Sequence, residues 1–229
     1  MHILFLSHCG FLVDTGAHLL VFDYCPRRQA RLAEPLLTRA LQSQKPALFF
    51  VSHAHKDHYD PQIFTFPARR FLLSSDIPPV PGATSVAPER VYEFPECRVQ
   101  TFSSTDQGVA FLVHIDGTTI YHAGDLNWWN WPGEPDPWNP DMERTFLKQA
   151  QRLCQIPIDL AFLTADPRQK GAWLMGFDYL MRCGKIRHAV PMHFWNQSSA
   201  PQRVLQASCT EPYRDRIIPL ARCGDGADL

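Results

Sequence analysis

Apolar residues open the chain in three short runs, Ile3 to Ser7, Phe11 to Asp14 and His18 to Asp23, separated by Gly10 and by Thr15-Gly16. Runs of strand length broken by turn residues predict a β-meander. From Arg27 to Gln44 the spacing changes: Leu32, Leu36, Leu37, Ala40 and Leu41 recur at helical intervals. Pro35 inside that stretch predicts a break or a late helix start. Ala47 to Val51 is a continuous apolar run and reads as a buried strand. Prolines then punctuate residues 59 to 108, with short strands expected at Phe71 to Ser74 and Val99 to Phe102. A hairpin follows, Val109 to Ile115 and Thr118 to His122 around Asp116-Gly117. Beyond it the pattern alternates: helix over Met142 to Cys154, strand over Ile158 to Thr164, helix over Trp173 to Cys183, strand over His188 to Met192. The tail from Pro201 predicts a short helix and a strand near Arg216 to Pro219. Strands first, then alternating strands and helices, suggest two sheets covered by helices in a single domain, residues 1–229.

Composition narrows this only a little. With 22 basic and 23 acidic residues the formal net charge is −1. That balance argues against a broad nucleic-acid footprint and against binding an anionic membrane surface. No apolar run is long enough to span a bilayer, and Met1 to Leu6 reads as a first strand rather than a secretory leader. The seven cysteines are odd in number, scattered, and form no C-x-x-C pair. They suit reduced thiols in a cytoplasmic protein; Cys9, beside His8 at a turn, stands apart from the others.

The chemistry collects where strands end. Val51-Ser52 runs directly into His53-Ala54-His55-Lys56-Asp57-His58. Residues two apart in an extended turn point the same way, so His53 and His55 can hold one ion together. Asp57 and His58 open the next turn and can face a second. Imidazole and carboxylate suit zinc, and also iron or manganese. The hairpin likewise ends in His122-Ala123-Gly124-Asp125, and the last strand ends at His193.

These segments together resemble the metallo-β-lactamase superfamily of metal-dependent hydrolases. The resemblance is carried by Ser7-His8-Cys9-Gly10-Phe11-Leu12-Val13, by Ser52 to His58, by Ile120-Tyr121-His122-Ala123-Gly124-Asp125, and by Ala189-Val190-Pro191-Met192-His193. In detail it is most similar to the ascorbate-phosphate lactonase-like branch. It implies an α+β fold, an αββα sandwich of two mixed β-sheets flanked by helices, with two divalent metal ions at one edge. His53 and His55 would bind the first ion, Asp57 and His58 the second; Asp125 would bridge both and His193 complete the second site. Members usually carry another histidine ahead of the strand at Val109. Here the chain reads Ser103-Ser104-Thr105-Asp106-Gln107-Gly108, so Asp106 is the expected substitute ligand, with Ser104 a weaker one. Such ions would lower the pKa of a bound water from about 15.7 toward 7 and so supply hydroxide. Asp57 would be the catalytic proton acceptor.

Other residues are expected in support. His8 and His122 would hydrogen-bond ligands from behind, whereas His114 reads as a solvent-facing strand residue. The segment Asn127 to Pro140 holds four of the six tryptophans. Trp128 and Trp129 would wall the substrate, or else pack the loop onto the body or an oligomer interface. Arg168, in Asp166-Pro167-Arg168, would hold a carboxylate or phosphate, or be a plain surface arginine. The expected activity is hydrolysis of a small-molecule ester, lactone, amide or phosphoester. The alternatives are a metal-dependent nuclease of the same fold and a non-catalytic metal-binding or sensor protein.

Overall fold

In the computed structural model, which describes residues 1–26 and 30–229, alternation in the first strands sorts side chains onto two faces. The strands are β1 (His2–Ser7), β2 (Gly10–Asp14), β3 (Leu19–Phe22) and β4 (Ala47–Val51). Ile3, Phe5, Leu48 and Phe50 join one buried cluster, and Leu6, Phe49 and Val51 join another on the opposite face. A one-residue slip would exchange these sets, so the register is strongly specified. β5 (Arg70–Ser74), β6 (Thr84–Val86) and β13 (Gly226–Asp228) complete a seven-stranded mixed sheet in the order β13-β1-β2-β3-β4-β5-β6.

The second sheet has six strands in the order β12-β11-β10-β9-β8-β7. These are β7 (Val91–Glu93), β8 (Cys97–Ser103), β9 (Val109–Ile115), β10 (Thr118–His122), β11 (Pro157–Thr164) and β12 (Lys185–Met192). Its inner face meets the first sheet through aromatic rings. Phe11 and Phe162 lie 4.3 Å apart between ring centroids, Phe50 and Phe111 5.3 Å, and His122 stacks on Phe22 at 5.0 Å. Such pairs add to the gain from burying their area.

Helices cover the outer faces. α1 (Ala30–Leu41) buries Ala33, Leu37 and Leu41, four residues apart, against the outer face of the first sheet. Pro35 does not break it; the carbonyl it leaves without a donor is that of Arg31, in the first turn. The start of the expected helix, Arg27 to Gln29, lies outside the described residues. α2 (Trp138–Leu153), α3 (Met175–Cys183) and α4 (Ala200–Gln206) follow on the other side. The αββα sandwich is therefore as expected.

Two expectations are corrected. Arg216 to Pro219 is not a strand: a 3-10 segment runs through Arg216, and only one bridge, Ala189 to Ile217, joins the sheet. Not all the cysteines are thiols either. Cys154 and Cys183, at the ends of α2 and α3, form a disulfide with Cα atoms 5.5 Å apart. Helix packing makes that pair, which is why a separation of 29 residues gave no sign of it.

Candidate metal centre

Close backbone approach brings the strand ends together. Val109 N–H donates to Ser52 O at 2.9 Å, joining the start of β9 to the end of β4. A Cβ on Gly108 would lie 2.0 Å from Ser52 O, and one on Gly124 2.7 Å from Ser52 Cβ. Both glycines have positive φ, so both the conformation and the space require glycine. Thr105 fastens the preceding loop: its hydroxyl donates to Asn127 O at 2.7 Å and accepts from Asn127 N at 2.9 Å. Asp106 is thereby delivered beside Asp125.

The expected ligand residues meet. His58 Nε2 and His193 Nε2 lie 3.2 and 3.3 Å from Asp125 Oδ1, while His53 Nε2 is 3.7 Å from Oδ2 of the same carboxylate. His53 Nε2 is 3.1 Å from His55 Nδ1, which lies 3.6 Å from Asp106 Oδ2. Asp57 Oδ2 is 4.0 Å from His58 Nε2 and 3.5 Å from His8 Nε2. Donors around one zinc ion at about 2.0–2.1 Å stand roughly 3.3 Å apart, so these spacings fit metal coordination. The buried atoms His58 Nε2 and Asp125 Oδ1 have no hydrogen-bond partner despite their proximity. Unmatched lone pairs aimed at a shared space suit a cation. His53, His55, Asp106 and Asp125 form one group of potential ligands, and His8, Cys9, His58 and His193 another.

Carboxylates behind the rings fix how they point. Asp23 Oδ2 takes the His58 Nδ1 proton at 2.7 Å and that of the Ser52 hydroxyl at 2.6 Å, and Asp23 Oδ1 accepts from Ser52 N at 2.7 Å. Asp166 accepts from His193 Nδ1 at 3.1 Å. Each bond leaves Nε2 free toward Asp125, the arrangement that orients and strengthens an imidazole ligand. Asp23 had no expected role at the site, and Asp166 was expected only as part of a polar patch with Arg168 at the same edge. Their signal was position alone, an aspartate directly after or near the end of a buried strand. His122 supports the backbone instead: Gly124 N–H donates to its Nδ1 at 3.2 Å, and its Nε2–H donates to Cys9 O at 2.9 Å.

Electrostatics follow the same division. Burial opposes charge on His58, yet Asp125 and Asp23 outweigh it and raise its pKa well above the usual range. Burial likewise opposes charge on His193, which Asp125 and Asp166 push up to about 9. Burial opposes ionisation of Asp125 too, but His193 and His58 hold it well below the carboxylate range. Burial and the neighbouring His58 hold His53 down to about 4.

At the rim, Trp129 donates its Nε1–H to Asp125 O at 3.0 Å, meets His193 edge-on at 5.5 Å and stacks on Trp131 at 5.7 Å. Trp195, which sequence reasoning missed, lies 4.7 Å from His8. Arg168 pairs with Asp166 at 2.5 Å, and its guanidinium sits 4.5 Å from Trp195 and 5.5 Å from Trp131. Trp128 lies elsewhere. Its ring packs on Phe146 of α2 and Tyr179 of α3, because the chain turns it toward the helical layer rather than the rim. His114 bonds Thr119 across the hairpin at 3.0 Å, in keeping with a strand residue away from the centre.

Comparison with known proteins agrees with this architecture. Residues 2–129 match the family model described as the beta-lactamase superfamily domain. A UPF0173 metal-dependent hydrolase of Pyrococcus furiosus is 22% identical over 215 residues, covering 83% of each chain. A metallo hydrolase of the hyperthermophilic archaeon Ignicoccus hospitalis superposes with a TM-score of 0.67 at 15% identity, over 99% of this chain and 97% of its own. The metallo-β-lactamase fold protein YhfI of Bacillus subtilis gives 0.64 at 11% identity, over 99% of both. With more than half its length matched by the family model, and the sandwich shared with these structures, the chain belongs to the beta-lactamase superfamily domain family.

Proposed function

We propose that this chain, acting as one domain, is a metal-dependent hydrolase of small molecules whose centre takes two divalent cations. Zinc is the first candidate, with manganese or iron as alternatives, because the donors are imidazole and carboxylate. One observation carries the reading. The two oxygens of Asp125 face different histidines, Oδ1 toward His58 and His193 and Oδ2 toward His53. A carboxylate so placed can bridge two positions and offset their mutual repulsion. His53, His55 and Asp106 would complete the first position; Asp57, His58 and His193 would complete the second.

When bound, the cations supply Lewis acidity and acidify water. The chain's own residues do the rest. Asp57 stays ionised, since the nearby rings of His8 and His58 outweigh the burial that opposes charge, so its Oδ2 can accept a proton at the centre. Asp23 and Asp166 hold His58 and His193 in one tautomer and one direction. Trp129 and Trp131 exclude water along one wall. Arg168, half-exposed between Trp131 and Trp195, offers a cation to a substrate carboxylate or phosphate.

The substrate is an ester, lactone, amide or phosphoester. Lactones head the panel because Ser7 to Val13 and Tyr121 to Asp125 are similar to the ascorbate-phosphate lactonase-like branch. Metal-loaded protein should turn over at least one of these classes, and Asp125→Asn should lower that turnover by on the order of a thousandfold. A second reading, a metal-binding protein without turnover, draws on the exposed His55–Asp106 pair in place of a third imidazole; metal uptake with no hydrolysis across the panel would favour it.

Among the described residues, no helix is long and apolar enough to cross a membrane. We place the protein in the cytoplasm on its scattered cysteines. The Cys154–Cys183 disulfide counts the other way, so cell fractionation is the test: recovery in the cytoplasmic fraction is expected, and recovery outside it would overturn the placement.

A further inference from the structure

Neither the bridging carboxylate nor a supporting aspartate accounts for His8 at the centre. It follows β1 at a positive φ of 42°, a conformation uncommon for residues other than glycine. That turn carries the ring into the centre. It lies 4.4 Å from the His193 ring, 5.5 Å from the His58 ring and 4.7 Å from Trp195. Both ring nitrogens are buried without a hydrogen-bond partner; the nearest carboxylate contact is Asp57 Oδ2, 3.5 Å from Nε2. A buried imidazole with both nitrogens unmatched is costly unless something else uses a lone pair.

Geometry says what that is. One donor atom each from His8, Cys9, His58 and His193 lies within 4.8 Å of the others. Cys9 is fully buried in the layer between the sheets and belongs to the core. His8, His58 and His193 thus leave three imidazoles converging on one position. We propose that His8 is a direct ligand of the second metal position through Nε2, not a residue that supports a ligand from behind. This rests on the metal-binding reading above and deepens it. The second position would then hold three imidazoles and Asp125 Oδ1. Asp57 would be left at the edge of that shell, where its carboxylate can exchange between the metal and a proton.

The test loads the whole protein with cadmium-113 and records proton–cadmium correlations, which pass only through coordinate bonds. The expected result is one cadmium resonance correlated with ring protons of His8, His58 and His193 together. Correlations to His58 and His193 without His8 would overturn the proposal while leaving the metal centre intact. No correlation to any histidine would overturn the metal-binding reading itself. As a second measurement, His8→Asn keeps a residue that tolerates positive φ. It should weaken metal binding at the second position by more than about a hundredfold, beyond the roughly tenfold to hundredfold cost of losing a supporting residue; a loss within that smaller range, or unchanged affinity, would contradict the assignment.

Discussion

His58 and His193 rest on carboxylates that are themselves buried, Asp23 at 1% and Asp166 at 0% side-chain exposure. His55 and Asp106, on the other side of Asp125, are each 42% exposed, with no comparable support behind them among the described residues. The first arrangement fixes ring direction before any cation arrives and excludes competing water. The second must gather its donors from solvent-facing side chains and uses a carboxylate where the family usually has a third imidazole. The two cation positions proposed above would thus be built to different standards, and their affinities should differ accordingly.

Removing the shared element should have the largest effect. Asp125→Asn takes away the charge that both positions use, so elemental analysis should find both equivalents lost. Hydrolysis should fall by on the order of a thousandfold, matching the several kcal/mol that such ions supply. Retention of either equivalent would mean that the halves do not share this carboxylate. Next come the supports. Asp23→Asn and Asp166→Asn should each weaken metal binding at the buried position roughly tenfold to a hundredfold and spare the exposed one. Equal losses at both positions, in a competition titration, would erase the distinction.

Acidity offers a third handle. In the metal-free protein His193 is raised from the usual 6.5 to about 9. A raised histidine adds stability that is full below the unfolded value and is lost as pH rises through the folded one. The metal-free protein should therefore lose thermal midpoint between about pH 6.5 and 9, while the loaded protein, whose His193 is deprotonated by coordination, should not show that loss. Metal affinity should move the opposite way, rising by up to about tenfold per pH unit across this window as one less proton must be displaced. The smallest effect belongs to the exposed half. Asp106→His restores an imidazole and should tighten that position by about tenfold, with Asp106→Ala weakening it alone; a change at the buried position from either would be inconsistent with separate roles.

The sandwich was legible because alternation in β1 and β4 and the Asp116-Gly117 hairpin are local signals. The histidine cluster was legible because its members are neighbours in sequence. What escaped depends on tertiary meeting: β13 pairs His2 with Asp228 from the other end of the chain. Asp23, Asp166 and Trp195 acquire roles only once the sheet edges converge. Trp128 and Trp129 are adjacent in sequence, yet only Trp129 faces the centre. The candidacy of Asp106 came from the missing histidine and remains an expectation, whereas the approach of His8 to the centre needed the left-handed turn at the end of β1.

The inequality of the two positions is most directly tested by calorimetric titration of metal-free protein with zinc. Two equivalents should bind in separate steps, the first at least tenfold tighter than the second, with His58→Gln removing the tight step. Two equal steps, or a tight step that survives His58→Gln, would contradict it.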